Sequence, residues 1–181
     1  FVNAYNMFDG MDGLATTIFI FYLIIFLLIF YNINIIFLNL LLCSTIFFYF
    51  NIKSRIFLGN SGSYFISAII GNFLIMQNTD LDKSFFAEEI FLILMIPGID
   101  MLRMFVERII NKKNPFSADN NHLHHLLLNY FNKKIVLTTV CALIVLPIIL
   151  RFYLGIETIF LIIINLIIYL LLIYKLKNYN S

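Results

Sequence analysis

Runs of about twenty apolar residues recur along the chain, with short polar segments between them. Each run is long enough to cross a hydrocarbon core about 30 Å thick as an α-helix. Only 12% of the residues are charged and 62% are apolar, whereas a soluble domain is about half apolar and about a quarter charged. The pattern predicts an all-α, polytopic integral membrane bundle. Its six expected transmembrane helices cover approximately 14–31, 34–50, 62–77, 85–102, 135–153 and 157–174.

The start of the chain, its cysteines and its charge set further limits. The chain begins at Phe1, without an initiator Met and inside a polar, Gly-rich segment, so we expect more sequence before it and no signal peptide. Cys43 and Cys141 lie in different apolar runs, which predicts two buried thiols and no disulfide. The net charge of +2 is too small to favour nucleic acid as a partner. We therefore expect residues 1–181 to form a single membrane domain.

The distribution of Lys and Arg residues predicts the side of the membrane that each polar segment faces. When the six spans alternate, ten of the 12 basic residues share one side, and the other side keeps Lys83 and Arg151. Because basic residues accumulate in cytoplasmic loops, the richer side is predicted to be cytoplasmic. Segments 1–13, 51–63 and 103–134 then meet on one face. The ten residues are Lys53, Arg55, Arg103, Arg108, Lys112, Lys113, Lys133, Lys134, Lys175 and Lys177.

The first polar segment carries oxygen-bearing side chains at intervals of three, namely Asn3, Asn6, Asp9 and Asp12. Residues three apart share a helix face, so these four side chains would form one polar stripe. Mg²⁺ prefers oxygen ligands and is usually held by one or two carboxylates in phosphoryl-transfer sites. The alternative is a solvated loop in which Asp12 caps the following span.

The second polar segment contains a glycine- and serine-rich turn, Gly59-Asn60-Ser61-Gly62-Ser63, at the start of the third span. Free backbone N–H groups at a helix N-terminus suit a phosphate group. The alternative is an ordinary helix entry that is capped by Ser61 or Ser63. No Lys follows the turn, so the segment is not a nucleoside-triphosphate P-loop.

The third polar segment, 103–134, is a basic loop that contains every histidine of the chain, His122, His124 and His125. Imidazole N–H groups beside basic side chains suit a diphosphate. A zinc site is the competing interpretation, but it lacks cysteine partners and a second, distant histidine. A purely structural loop remains the third alternative.

The segment from Asn3 to Ala15, NAYNMFDGMDGLA, resembles the signature of the polyprenyl-phosphate N-acetylhexosamine-1-phosphate transferases, which form glycosyltransferase family 4. Every fixed position of the family's pattern N-A-x-N-x-x-D-G-x-D-G-L-A matches. The second segment is similar to the family's F-L/M-G-D-x-G-S element, with Asn60 in place of the Asp that is taken to be a magnesium ligand. The third is similar to its histidine loop, with Asn120 in place of a basic residue.

The resemblance implies transfer of a sugar-1-phosphate from a UDP-sugar to a polyprenyl phosphate, with Mg²⁺ or Mn²⁺ as cofactor and release of UMP. It also implies that the chain is the C-terminal half of a multi-pass protein of the cell inner membrane, with its active site facing the cytoplasm. Asp9 and Asp12 are the implied catalytic residues, and Asp9 and Asn60 the implied metal ligands. Substrate binding is implied for Asn3, Asn6, Arg108, Asp119, His122, His124 and His125.

Two other functions remain open. A binding-only or degenerate relative of the family is suggested by Asn60 and Asn120. A transporter fragment is the second alternative, which predicts ionisable residues deep in the spans. The candidates for such residues, Glu88 and Glu89, lie near the outer end of the fourth predicted span. Whether the protein acts as a homodimer is also open.

Overall fold

The computed structural model describes residues 1–29, 35–77, 85–115 and 121–178. Within these ranges all regular secondary structure is α-helical, which confirms the all-α prediction for the described part of the chain. The helices are α1 Val2–Phe8, α2 Leu14–Ile29, α3 Ile35–Asn51, α4 Gly59–Gln77, α5 Ala87–Ile110, α6 Leu123–Leu128, α7 Lys133–Leu154 and α8 Thr158–Asn178.

The six predicted spans correspond to the long helices α2, α3, α4, α5, α7 and α8, but their number as membrane spans is not confirmed. Only α7 and α8 are both long and apolar enough to cross a membrane by themselves, among the described residues. Helices α2 and α3 are apolar, yet at 16 and 17 residues they are about 25 Å long, shorter than a hydrocarbon core. Helix α5 has 24 residues and carries charges at both ends. The six-span topology therefore stays a prediction.

Two of the long helices contain a proline, and each proline is matched by a side chain of a neighbouring helix. A proline lacks the N–H that would bond the carbonyl four residues earlier. For Pro97 in α5 that carbonyl belongs to Ile93, and the Tyr22 hydroxyl donates to it at 2.6 Å. For Pro147 in α7 it belongs to Leu143, and Asn165 Nδ2 donates to it at 3.0 Å. These bonds join α2 to α5 and α8 to α7. They also give the two backbone carbonyls a hydrogen-bond partner without water.

Large apolar side chains cover much of the outer surface of the bundle. On α3 only Ser44 and Asn51 are fully buried. Phe37, Leu40 and Leu41 pack against the core, and most of the other apolar side chains of this helix are exposed. Leu42 on α3 and Leu171 on α8 are each 61% exposed. A soluble monomer rarely exposes apolar surface on this scale, and the pattern is typical of helices that face lipid.

The polar segments collect at one end of the bundle. In the turn after α1, Gly13 contacts Asn51 at the end of α3. Asp12 of the same turn contacts Lys133 at the start of α7. An ion pair elsewhere joins the first turn of α5 to the last turn of α7, with Arg151 Nε 2.7 Å from Glu89 Oε1. The predicted loop 103–134 is partly helical, since it includes the end of α5, all of α6 and the start of α7.

Candidate functional site

The first polar segment folds as a short helix followed by a tight turn. Helix α1 ends at Phe8, and the backbone N–H of Asp9 closes it on Tyr5 and Asn6. Gly13 has φ +87°, which only glycine adopts without strain, and it separates this turn from α2. The expectation of one helical stripe from Asn3 to Asp12 is therefore wrong, because the two aspartates lie beyond the helix end.

A buried asparagine joins this aspartate turn to the second polar segment. Asn51, only 3% exposed, accepts hydrogen bonds through Oδ1 from Gly13 N at 2.8 Å and from Thr16 Oγ1 at 3.1 Å. Its Nδ2 donates to the Ile56 carbonyl at 2.9 Å. Sequence reasoning did not identify Asn51. The available signal was an amide at the end of a largely apolar run, eight residues before the glycine-rich turn.

A cavity of about 350 Å³ lies between these two segments and the start of α7. It brings together four of the predicted site residues, whose side chains all offer oxygen atoms. It does not include Asn3, which is exposed on α1. The full lining is Asn6, Asp9, Gly10, Met11, Asp12, Asn51, Phe57, Leu58, Gly59, Asn60, Leu128 and Lys133.

The amide residues of the cavity are held by the start of α4. Ser63, fully buried, lies within hydrogen-bonding distance of Asn6 Oδ1 and of the Asn60 carbonyl oxygen. The serine of the glycine-rich turn thus connects the first and second polar segments near the cavity. Asn60 itself is exposed, so its side chain is accessible to a ligand.

The two aspartates differ in their surroundings. Asp12 Oδ2 accepts a 2.6 Å hydrogen bond from Ser54 Oγ and lies 3.7 Å from Lys133 Nζ. Asp9 receives no hydrogen bond on its carboxylate from any described residue, and it is half-buried. Burial first, and the charge of Asp12 second, raise the pKa of Asp9 to about 7. Asp9 is thus the carboxylate with free coordination capacity.

The histidines pack against the aspartate turn from α6. A Cβ atom on Gly10 would lie 2.8 Å from His125 Nε2 and closer still to His124 Nε2. His124 is fully buried, and neither of its ring nitrogens has a hydrogen-bond partner among the described residues. Burial, followed by the neighbouring His125 and His122, lowers the pKa of His124 to about 3, so the ring is neutral. A buried imidazole without hydrogen-bond partners costs free energy of folding unless a ligand or a water molecule supplies the missing hydrogen bonds.

None of the three histidines lines the cavity, and His122 is anchored by Asp100 of α5. His122 Nδ1 lies 2.8 Å from Asp100 Oδ2, and the Leu123 backbone N–H also donates to the Asp100 carboxylate. Asp100 is fully buried and is paired with Arg103 at 2.8 Å and with the Tyr169 hydroxyl at 2.8 Å. Together these groups fix the start of α6 and hence the position of the other two histidines.

The remaining predicted residues take other places. Arg108 is buried, and its Nη1 donates to the Pro115 carbonyl at 2.8 Å, so it supports the backbone beyond α5. It does not line the cavity. Asp119 lies outside the described residues.

The donor set at the cavity fits a hard divalent cation. No group of three or more His, Cys, Asp or Glu side chains that could hold a metal occurs within the described ranges. Two carboxylates and the amide of Asn60 do line one cavity. Mg²⁺ commonly binds through one or two carboxylates and completes its shell with water and substrate phosphates, and Asp9 has the free oxygens for this role.

Comparison with known proteins identifies the family. Residues 1–78 match the model of glycosyl transferase family 4, and these residues include the aspartate turn and the glycine-rich turn. Over 136 residues the chain is 32% identical to undecaprenyl-phosphate alpha-N-acetylglucosaminyl 1-phosphate transferase of Thermotoga maritima. The chain belongs to glycosyl transferase family 4.

Both matches cover only part of the proteins compared. The aligned region covers 74% of this chain and 40% of the Thermotoga maritima protein, so the chain spans well under half of that relative. No solved structure matches the chain significantly. The resemblance of the aspartate and glycine-rich segments to glycosyl transferase family 4 is confirmed by the family match, whereas the histidine loop lies beyond the matched residues 1–78.

Proposed function

We propose that the protein transfers N-acetylhexosamine-1-phosphate from a UDP-sugar to a polyprenyl phosphate and releases UMP. The observation that carries this proposal is the cavity in which Asp9, Asp12, Asn6 and Asn60 meet. The name of the Thermotoga maritima relative describes the same type of transfer, onto undecaprenyl phosphate. The oxygen-rich lining and the family match support a phosphoryl-transfer site.

Asp9 and Asn60 would hold Mg²⁺ or Mn²⁺. When it is bound, such an ion supplies positive charge that neutralises the diphosphate of the donor. Asp12 already accepts a hydrogen bond from Ser54, so its contribution is to fix the turn and to set the electrostatic environment of Asp9. Asn6, held by Ser63, faces the same cavity and offers polar atoms to the substrate.

The histidines would contact the nucleotide diphosphate beside the aspartate turn. Neutral imidazole has one N–H donor and one acceptor nitrogen, and Nε2 of His124, which has no partner among the described residues, lies next to Gly10. The N–H of the His124 imidazole can donate to a phosphate oxygen. His122, which is fixed by Asp100, holds the start of the helix that carries this group.

A lipid acceptor agrees with the location of the site. The cavity lies at an end of a bundle whose sides are covered by exposed apolar residues. A polyprenyl chain can remain among such helices while its phosphate enters the polar end. We place this end at the cytoplasmic face of the inner membrane on the basis of the Lys and Arg distribution.

The function is tested with the complete gene product, purified in detergent and supplied with UDP-N-acetylglucosamine, undecaprenyl phosphate and Mg²⁺. UMP release that requires both substrates and the cation is the expected result. Asp9→Asn should lower turnover by about three orders of magnitude, while thermal unfolding changes little because the Asp9 carboxylate, the group that is replaced, receives no hydrogen bond from a described residue. Binding of the UDP-sugar without UMP release by the wild type would instead support the binding-only alternative.

A further inference from the structure

A lysine at the start of α7 reaches the cavity from the end of the third polar segment, beyond the histidines. Lys133 lines the cavity, and its Nζ lies 3.7 Å from Asp12 Oδ2. Helix α7 begins here because Asn132 caps it, with Oδ1 accepting from Ile135 N at 3.0 Å. The cap fixes the backbone at Lys133, so the side chain extends from a defined point beside the aspartate turn.

The contact of Lys133 with Asp12 is too loose to be explained as a stabilising ion pair. The 3.7 Å separation exceeds the 2.7–2.9 Å of a hydrogen-bonded N⁺–H···O⁻ pair. The lysine side chain is 62% exposed, and exposed ion pairs of this kind add little to stability. The ammonium group can therefore leave Asp12 without breaking the fold.

The charge balance of the cavity shows what the ammonium group can do. Among the described lining residues there are two carboxylates, Asp9 and Asp12, and one cationic side chain, Lys133. Two carboxylates repel a phosphate group, and a divalent cation at Asp9 would offset this repulsion most strongly close to Asp9, because the Coulomb interaction weakens with distance. The Lys133 ammonium group, 3.7 Å from Asp12, supplies positive charge on the Asp12 side.

We propose that Lys133 is a phosphate-binding residue of this site, whose ammonium group moves from Asp12 to a substrate phosphate. The proposal rests on the proposed function and adds a residue to it. A lysine acts as a compact point charge with three donors, so it can follow a phosphate over a short distance. Two substrates carry the required group, namely the diphosphate of the UDP-sugar and the monophosphate of the polyprenyl acceptor.

The test compares Lys133→Gln with Lys134→Gln in the complete gene product. Lys134 is exposed on the same helical turn and does not line the cavity, so its variant removes the same charge outside the site. We expect Lys133→Gln to raise the KM for one substrate by about tenfold to a hundredfold, the loss expected for one charged hydrogen bond. Lys134→Gln should leave both KM values within about twofold of wild type. Lys133→Arg should recover part of the loss.

The substrate whose KM rises identifies the source of the phosphate. If both KM values of Lys133→Gln equal those of Lys134→Gln, the proposal is wrong. A change confined to the Mg²⁺ requirement would also overturn it, since that result would mean that Lys133 only positions Asp12.

A binding measurement separates this proposal from the proposed function. Calorimetric titration with UDP-N-acetylglucosamine, and separately with a short-chain polyprenyl phosphate in detergent, needs no turnover. If the wild type binds either ligand and Lys133→Gln binds it at least about tenfold more weakly, the lysine assignment holds even when no UMP is released. Equal binding of both ligands by the two proteins contradicts it, whatever the activity.

Discussion

The backbone of Gly10 lies directly against the imidazole of His124, and no side chain can be added there without displacing the ring. The aspartate turn and the histidine helix, which are more than a hundred residues apart in the sequence, are therefore fitted to each other at atomic contact. The half-buried Asp9 thus directly precedes a glycine whose backbone contacts the buried His124 ring.

Gly10→Ala should displace the histidines and lower kcat/KM for the UDP-sugar about a hundredfold, since small misplacements of binding groups are costly. Gly71→Ala in α4 is the matched control, because a Cβ atom there meets no atom within 4 Å. The control should keep wild-type kinetics and gain stability from its better helix propensity. Wild-type kinetics for Gly10→Ala would mean that the contact has no role in the site.

Binding of a divalent cation should weaken as the pH falls through about 7. The pKa of Asp9 is raised to about 7 in the metal-free protein, and a protonated carboxyl group is a poor ligand. Calorimetric titration with Mn²⁺ across this pH range should also detect proton release on binding near pH 7. Affinity that does not vary with pH would contradict the assignment of Asp9 as a ligand.

Asp12→Asn should move that pH midpoint downward. The charge of Asp12 is the second cause of the raised pKa of Asp9, and its removal makes Asp9 easier to ionise. The shift should be seen as retained Mn²⁺ binding at a pH where the wild type has lost it. An unchanged midpoint would mean that burial alone sets the pKa of Asp9.

Asn60→Asp should lower the Mg²⁺ concentration for half-maximal activity, by about tenfold if the new carboxylate contacts the ion, because attraction between full charges exceeds attraction to a dipole. Ser61→Asp is the control. It adds the same charge one residue along the chain, at an exposed position outside the cavity lining. Equal Mg²⁺ requirements for the two variants would show that Asn60 is not a ligand.

Much of the fold could be predicted from the apolar runs, because a helix is the simplest way for such a run to satisfy its own backbone in lipid. The contact between the polar segments followed from their predicted common side of the membrane. The end of α1 before Asp9 could not be predicted from the spacing of three, since Gly10 and Gly13 allow a turn that the same spacing does not reveal.

The supporting residues of the site were the hardest to predict. Asn51 and Lys133 make contacts between distant segments. Their local sequence marks them only as an amide at the end of a largely apolar run and as one lysine of a basic loop. The role of Asp100 as the anchor of His122 depends on the path of the chain between α5 and α6. The residue types of the motifs indicated the chemistry of the site. The roles of these three residues could be seen only from the packing of the helices.

The predicted topology can be examined by labelling single cysteines from outside intact cells. After Cys43 and Cys141 are replaced by serine, Glu157→Cys between α7 and α8 should react with a membrane-impermeant maleimide, while Lys112→Cys beyond α5 should not. Both side chains are exposed, so accessibility within the protein does not separate them. The reverse labelling pattern would contradict the cytoplasmic placement of the cavity.

The most direct test of the central claim follows the β-phosphorus of the donor. The complete gene product is incubated with undecaprenyl phosphate, Mg²⁺ and UDP-N-acetylglucosamine carrying ³²P at the β-position. Transfer of a sugar-1-phosphate moves the label into the lipid fraction and releases unlabelled UMP, which is the result we predict. Release of labelled UDP, with the sugar alone in the lipid fraction, would contradict it.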